Sequence, residues 1–227
     1  METTISGDKQ GYTVFFDLDH TIISKISGKS LAVSAVRKGY VRSGDLLRIS
    51  YTWLLYKMKL IDPQTMSEKM IGWTKGIPEV KINELCNETT DNQLLPYVYN
   101  EAIEEIGAHR RNNARVVLLS ASIDQVCRKI ALKIGADDII CTSLQSKDGY
   151  LTGHADGKVC FGEEKITRLR DYCLRNNIDI SESWYYGDSI SDLPVLRKVG
   201  SPVCINPSGK MLKTAREEGW KIMNWSV

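Results

Sequence analysis

The sequence predicts an α/β fold: a doubly wound parallel sheet, with a smaller α-helical segment inserted after the first strand. Three observations lead there. Short β-branched or aromatic runs end abruptly in polar loops at Asp17, Ser120 and Asp188. Helical spacing alternates with such runs at the start and through the second half, the pattern of parallel strands joined by crossover helices. Between the first two runs lie roughly 85 residues with helical spacing and little strand character, enough to pack as a small domain.

Taken in order, Tyr12–Phe16 reads as a buried strand stopped by Asp17. From Ser30 to about Gly107 the spacing predicts four or five helices, broken at Gly44, Asp62-Pro63, Gly76-Ile77-Pro78 and Pro96. Arg115–Leu119 is a second strand, ending at Ser120. Ile123–Ile134 is an amphipathic helix closed by Gly135, and Asp138–Ser143 a third strand. The glycines of 149–157 suggest a hairpin or an irregular loop. Lys165–Asn177 reads as a helix and Ser183–Tyr186 as a strand ending in Gly187-Asp188. Ser191–Val199 is a helix with Pro194 in its first turn, where proline is tolerated. Pro202–Ile205 and Lys210–Gly219 supply a last strand and helix. This divides the chain into a core of residues 1–24 and 108–227 and a helical unit of residues 25–107.

The bulk numbers narrow the function classes. With 227 residues, 42% hydrophobic and 26% charged, the chain can bury a core of ordinary size. A net charge of +2 points to neither nucleic acid nor a membrane surface by itself. The six cysteines form no CxxC pair and the three histidines no HxxxH pair, so a zinc site is poorly supported. Scattered cysteines and a polar N-terminus without an apolar core lead to the expectation of a soluble, cytoplasmic protein with reduced thiols.

The chemistry lies in three polar clusters, each following a strand: Asp17-Leu18-Asp19-His20-Thr21, Ser120-Ala121-Ser122 and Gly187-Asp188-Ser189-Ile190-Ser191-Asp192. In an open parallel sheet, loops at the carboxyl ends of strands converge on one crevice. At least three carboxylates then meet beside hydroxyls and free N–H groups. Such a set needs a cation, and all-oxygen donors suit Mg²⁺, which binds alongside phosphate oxygens. One carboxylate can then attack phosphorus.

Asp17-Leu18-Asp19-His20-Thr21 resembles the DxDxT motif of the haloacid dehalogenase superfamily. Ser120, Lys165 and Gly187–Asp192 resemble its second, third and fourth motifs, in the family's order. The Gly162-Glu163-Glu164-Lys165 string and the late Asn206-Pro207 are similar to the phosphoserine-phosphatase-like subfamily IB. The resemblance implies a Rossmann-like core with a cap domain after the first strand, Mg²⁺ as cofactor and a small phosphomonoester as substrate. It makes Asp17 the nucleophile and a metal ligand. Asp19 becomes the general acid and then the general base, its carbonyl also on the metal. Thr21, Ser120, the N–H of Ala121 and Lys165 face the phosphoryl group. Asp188 ligates the metal directly, and Asp192 holds metal-bound water or Lys165. His20 reads as a loop histidine, and Ser122 as the N-cap of the following helix.

Phosphoserine phosphatases carry an acidic residue shortly after the first motif. Here 22–44 has no acidic residue but contains Lys25, Lys29, Arg37, Lys38 and Arg42. Ser120-Ala121-Ser122 also replaces their Ser-Gly-Gly. A substrate with a second anionic group fits better than phosphoserine. The apolar run 46–58 reads first as cap core or a self-association face, and second as an apolar groove for a lipid or aromatic phosphate. The rival functions are a phosphotransferase or mutase using the same aspartate, and a non-catalytic phosphate-binding protein.

Overall fold

The computed structural model describes residues 11–41, 43–58 and 60–226. The polar N-terminal segment and Arg42 lie outside them, as do the side chains of Leu46, Arg48, Ile49, Trp53 and Lys57 within the apolar run.

The main sheet is parallel throughout, and among the described residues it holds six strands. These are β1 (Thr13–Phe16), β2 (Arg115–Ile123), β3 (Asp138–Thr142), β6 (Trp184–Gly187), β7 (Ser201–Ile205) and β8 (Lys221–Met223), in the order β3-β2-β1-β6-β7-β8. A two-stranded hairpin, β4 (Leu144–Lys147) with β5 (Tyr150–Ala155), stands apart from it. The doubly wound parallel fold is thus the one the sequence predicts. The order places β1 at the switch point between β2 and β6, so all three motif loops open at one edge.

Period-2 alternation builds the two faces. Val14, Phe16, Val116, Leu118, Tyr186, Val203 and Ile205 point to one side. There they meet α5 (Asn100–Arg111), α6 (Asp124–Ile134) and the helical insert. Phe15, Val117, Leu119, Tyr185 and Cys204 point to the other. There they pack on α7 (Glu163–Arg175), α8 (Leu193–Leu196) and α9 (Gly209–Glu217). Burying each large apolar side chain contributes about 1.5–3 kcal/mol.

The insert holds α1 (Ser27–Arg37), α2 (Ser43–Lys57), α3 (Pro63–Ile71) and α4 (Glu79–Thr89). Asp62 caps α3, its Oδ1 accepting the N–H of Thr65 at 2.9 Å. Gly44 breaks nothing; it lies in the first turn of α2. After α4 the chain widens into one π-helical turn, Thr90–Leu94, then tightens at Pro96. Helix α5, which the sequence places largely within the insert, packs on β2.

Residues 149–157 begin as a true hairpin. Asp148 (φ 52°) and Gly149 (φ 79°) are both left-handed, the two-residue turn that Asp-Gly favours. The hairpin leans on the insert, with Gly76 N–H donating to Leu151 O and Leu151 N–H to Ile77 O. The expected helix Ser191–Val199 is instead a 3₁₀ turn, Ile190–Asp192, followed by the short α8. All six cysteines are buried and unpaired. No helix of the described residues is long and apolar enough to cross a membrane.

Candidate active site

Asp17 follows directly on β1, and its N–H continues the ladder by donating to Tyr186 O at 2.9 Å. The chain then turns sharply. Leu18 O accepts the N–H groups of Thr21, Ile22 and Ile23 at 3.2, 2.9 and 3.0 Å. His20 takes a left-handed conformation (φ 58°) at the apex and is exposed, a loop residue as expected. The turn brings Asp19 back to the start of α1. That helix has no side-chain cap of its own at Ile26. Asp19 supplies one, its Oδ1 accepting the N–H of Ser27 at 3.0 Å. The first carboxylate pair is therefore joined to the insert by its first helix.

From α7, Lys165 reaches the end of β1. Its side chain is only 2% exposed, and Nζ donates to Asp17 Oδ1 and to Asp192 Oδ1, each at 2.7 Å. Gly162, left-handed at φ 56°, starts that helix and sets its first turn. Asp192 has both oxygens engaged. Oδ1 also accepts Tyr185 Oη at 2.7 Å. Oδ2 accepts Ser189 N–H and Oγ at 3.2 and 3.0 Å, a capping box on the turn after β6. A Cβ on Gly187 would lie 3.0 Å from the Asp192 Cβ and Cγ and 2.8 Å from the Tyr185 ring. Only glycine allows this carboxyl to settle there.

Carboxylate oxygens of Asp17, Asp188 and Asp192 lie within 4.8 Å of one another. Burial pushes the Asp17 carboxyl up to about 7; Lys165 opposes this and Asp192 adds to it. Burial, then repulsion from Asp192 and Asp17, pushes Asp188 up to about 8. Asp19 is raised by burial, although the Ser27 N–H works the other way. Burial would also raise Asp192, but Lys165, Tyr185 and Ser189 override it and hold it below the ordinary carboxylate value. For Lys165, burial would favour the neutral amine, yet Asp17 and Asp192 keep it firmly protonated. Four carboxylates thus face one ammonium, and burial holds Asp17 and Asp188 well above the ordinary carboxylate range. This all-oxygen set calls for another positive charge, and a hard divalent cation such as Mg²⁺ fits it. With both Asp192 oxygens bonded, Asp17 and Asp188 are the carboxylates placed to hold it.

Ser120 is buried at the bulged end of β2, its Oγ accepting Ser122 N–H at 3.1 Å. Strand β2 runs on through Ile123, so Ser122 is not the N-cap expected of it. Ile123 holds that position, and the Ser122 hydroxyl accepts Ser27 Oγ–H at 2.9 Å instead. Thr21 is fully buried, and its hydroxyl has no protein partner among the described residues. Asp17, Asp19, Lys165, Asp188 and Asp192 thus come together here, with two partners the sequence did not single out: Tyr185 and Ser27. Tyr185 could have been suspected as the residue alternating with Tyr186 two positions before Gly187. Nothing in the sequence pairs Ser27 with Asp19.

Comparison with known proteins identifies the family. A family model for haloacid dehalogenase-like hydrolases matches residues 14–197. A protein named a probable phosphatase from Mycobacterium tuberculosis is 30% identical over 215 residues, covering 93% of this chain and 75% of that one. A phosphoserine phosphatase of the same organism is 26% identical over 217 residues, covering 94% and 70%. A solved structure of a Bordetella pertussis protein of unknown function superposes with a TM-score of 0.85 at 24% identity, covering 94% and 98%.

Proposed function

The chain belongs to the haloacid dehalogenase-like hydrolase family and is a phosphoric monoester hydrolase, and we propose that it works through a covalent phosphoryl group on Asp17 with Mg²⁺ as cofactor. The observation that carries this is the buried Lys165 ammonium, shared at 2.7 Å between Asp17 and Asp192 at the end of the central strand. It fixes the Asp17 carboxylate, and its charge is placed to stabilise the transferring phosphoryl group. Asp192, held by Tyr185 and Ser189, positions Lys165.

Asp17 attacks phosphorus in line as the bond to the leaving oxygen breaks. Asp19, whose carboxyl is raised by burial, gives a proton to the departing alkoxide. Ionised by that transfer, it then takes a proton from the water that hydrolyses the aspartyl-phosphate. Ser120, Thr21 and the Ala121 N–H are assigned to the phosphoryl oxygens. Asp17, Asp188 and the Asp19 carbonyl would hold Mg²⁺, with Asp192 acting through water or through Lys165. When bound, the ion supplies charge neutralisation between the carboxylates and the phosphate dianion. Most of the barrier reduction comes from positioning and charge.

Residues 25–107 are proposed as the cap, closing over the crevice and excluding water. Beside Asp19, the cap presents the exposed Ile26; the half-buried Lys25 precedes it, its ammonium 4.0 Å over the Tyr97 ring. With no carboxylate in 22–44 to receive an amine, the substrate proposed is a small phosphomonoester with a second anionic group. A phosphate-release screen over phosphorylated metabolites with Mg²⁺, using Asp17→Asn as control, tests the reading. Full activity of Asp17→Asn would sink the mechanism, and phosphoserine as the clearly best substrate would retire the second-anion proposal.

A further inference from the structure

Ser27 and Ser122 have no assigned part in the chemistry, yet each holds a site residue by its backbone and the other serine by its hydroxyl. Ser27 N–H donates to Asp19 Oδ1 at 3.0 Å. Ser27 Oγ–H donates to Ser122 Oγ at 2.9 Å. Ser122 N–H donates to Ser120 Oγ at 3.1 Å. Three hydrogen bonds thus run without a break from Asp19 to Ser120, and the middle one joins hydroxyls 95 residues apart in sequence. Ser27 is only 1% exposed, so water does not readily replace a lost partner of its hydroxyl.

The two ends of this run of bonds differ in stiffness. Ser120 and Ser122 belong to β2, which lies between β1 and β3. Across the bulge, Thr142 Oγ1 of β3 donates to the Ala121 carbonyl at 2.9 Å. Asp19 lies past the end of β1, in a turn whose apex, His20, is exposed and left-handed. Helix α1 has no side-chain cap at Ile26 and leans on Asp19 instead. The Ser27–Ser122 bond ties both to β2, the stiffer member. A general acid must stand about 3 Å from the oxygen it protonates, and a misplacement of about 1 Å can cost about 10²-fold.

We propose that Ser27, anchored by its hydroxyl on Ser122, is a positioning residue for proton transfer by Asp19, a role that rests on the reading of Asp19 as the general acid. The bond sets where the Asp19 carboxyl stands relative to a phosphoryl group at Ser120. Attack by Asp17 does not depend on it. Its effect therefore falls on substrates whose leaving oxygen must be protonated.

Ser27→Ala and Ser122→Ala each remove the hydroxyl bond and leave both backbone N–H donors in place. Each should lower kcat/KM about tenfold for the alkyl phosphate that the wild type turns over fastest, and less than about threefold for p-nitrophenyl phosphate. The double variant should lose no more than either single one, because all three lack the same bond. Circular dichroism and thermal melting check that each variant is folded. Equal losses on the two substrates, no loss on the alkyl phosphate, or losses that multiply in the double variant would overturn the proposal. Asp19→Asn, assayed beside them, separates the two readings. If it too spares the alkyl phosphate, Asp19 is not the general acid. If it loses alkyl phosphate turnover selectively while Ser27→Ala does not, the positioning role alone fails.

Discussion

Replacing Lys165 by Met tests the charge balance of the site quantitatively. The ammonium is buried and bonded to two carboxylates at 2.7 Å. Methionine fills a similar volume, so the effect isolates the charge. Breaking a buried pair leaves uncompensated charge and typically costs about 3–5 kcal/mol. Asp192 can escape by taking a proton. Keeping a carboxyl of ordinary value 3.8 neutral costs about 1.4 kcal/mol per pH unit above that value, so about 5 kcal/mol near pH 7.5 and about 2 kcal/mol near pH 5.5. In the wild type Asp192 lies below its ordinary value, so its contribution to stability is present above about pH 4 and is lost only as pH falls through its lowered value. In the variant the folded state holds an extra proton that the unfolded state lacks, and stability falls as pH rises. The gap between the two proteins should therefore widen by about 2–3 kcal/mol from pH 5.5 to 7.5. Urea denaturation of both proteins in chelator, at the two pH values, measures it. An equal gap at both would refute the claim that Lys165 neutralises Asp192.

Other outcomes follow from the same geometry. Affinity for Mg²⁺ should rise steeply between about pH 6 and 8, because the ion must displace protons from Asp17 (about 7) and Asp188 (about 8). Calorimetry in buffers of different ionisation enthalpy should show proton release on binding; a flat affinity would contradict it. Without metal, those two raised carboxyls make the folded protein less stable as pH rises from about 4 through their folded values, so added Mg²⁺ should raise Tm more at pH 8 than at pH 6. Asp19→Asn keeps an acceptor for the Ser27 N–H and should melt like the wild type. It should lose about 10²–10⁴ in kcat/KM for alkyl phosphates, and far less in kcat/KM for p-nitrophenyl phosphate, whose leaving group needs no proton in the first transfer. Gly187→Ala should cost about 1–3 kcal/mol by pressing on Asp192 and Tyr185, and should lower kcat with it, measured by melting and initial rates.

The legible parts of this molecule are those set by local pattern. Runs such as Val14–Phe16 and Val116–Leu119 are apolar on both faces because helices cover both sides of the sheet, and their abrupt ends at Asp17 and Ser120 mark the crevice. Lys165 lies on a helix rather than a strand end, and only its resemblance to a family motif singled it out. Hidden elements depend on distant partners. Strand β8 is three residues long and exists because β7 offers it an edge, with Cys204 opposite Ile222. Helix α8 is shorter than its apolar spacing suggests because the Ser189–Asp192 capping box fixes a 3₁₀ turn first. Ser122 has the composition of an N-cap, but the Ser27 hydroxyl, 95 residues away in sequence, claims it. Leu47, Tyr51, Leu54 and Met58 of α2 are exposed although their residue types are those of a core stripe, and only the fold shows which side faces water.

The central claim is that Asp17 carries the phosphoryl group during turnover. Quenching the enzyme during steady-state hydrolysis and reducing with borohydride converts an acyl phosphate on a side chain to the corresponding alcohol. Mass spectrometry of the peptide spanning β1 should then find homoserine at position 17, and none in Asp17→Asn. Steady turnover with residue 17 recovered only as unmodified aspartate would contradict the account.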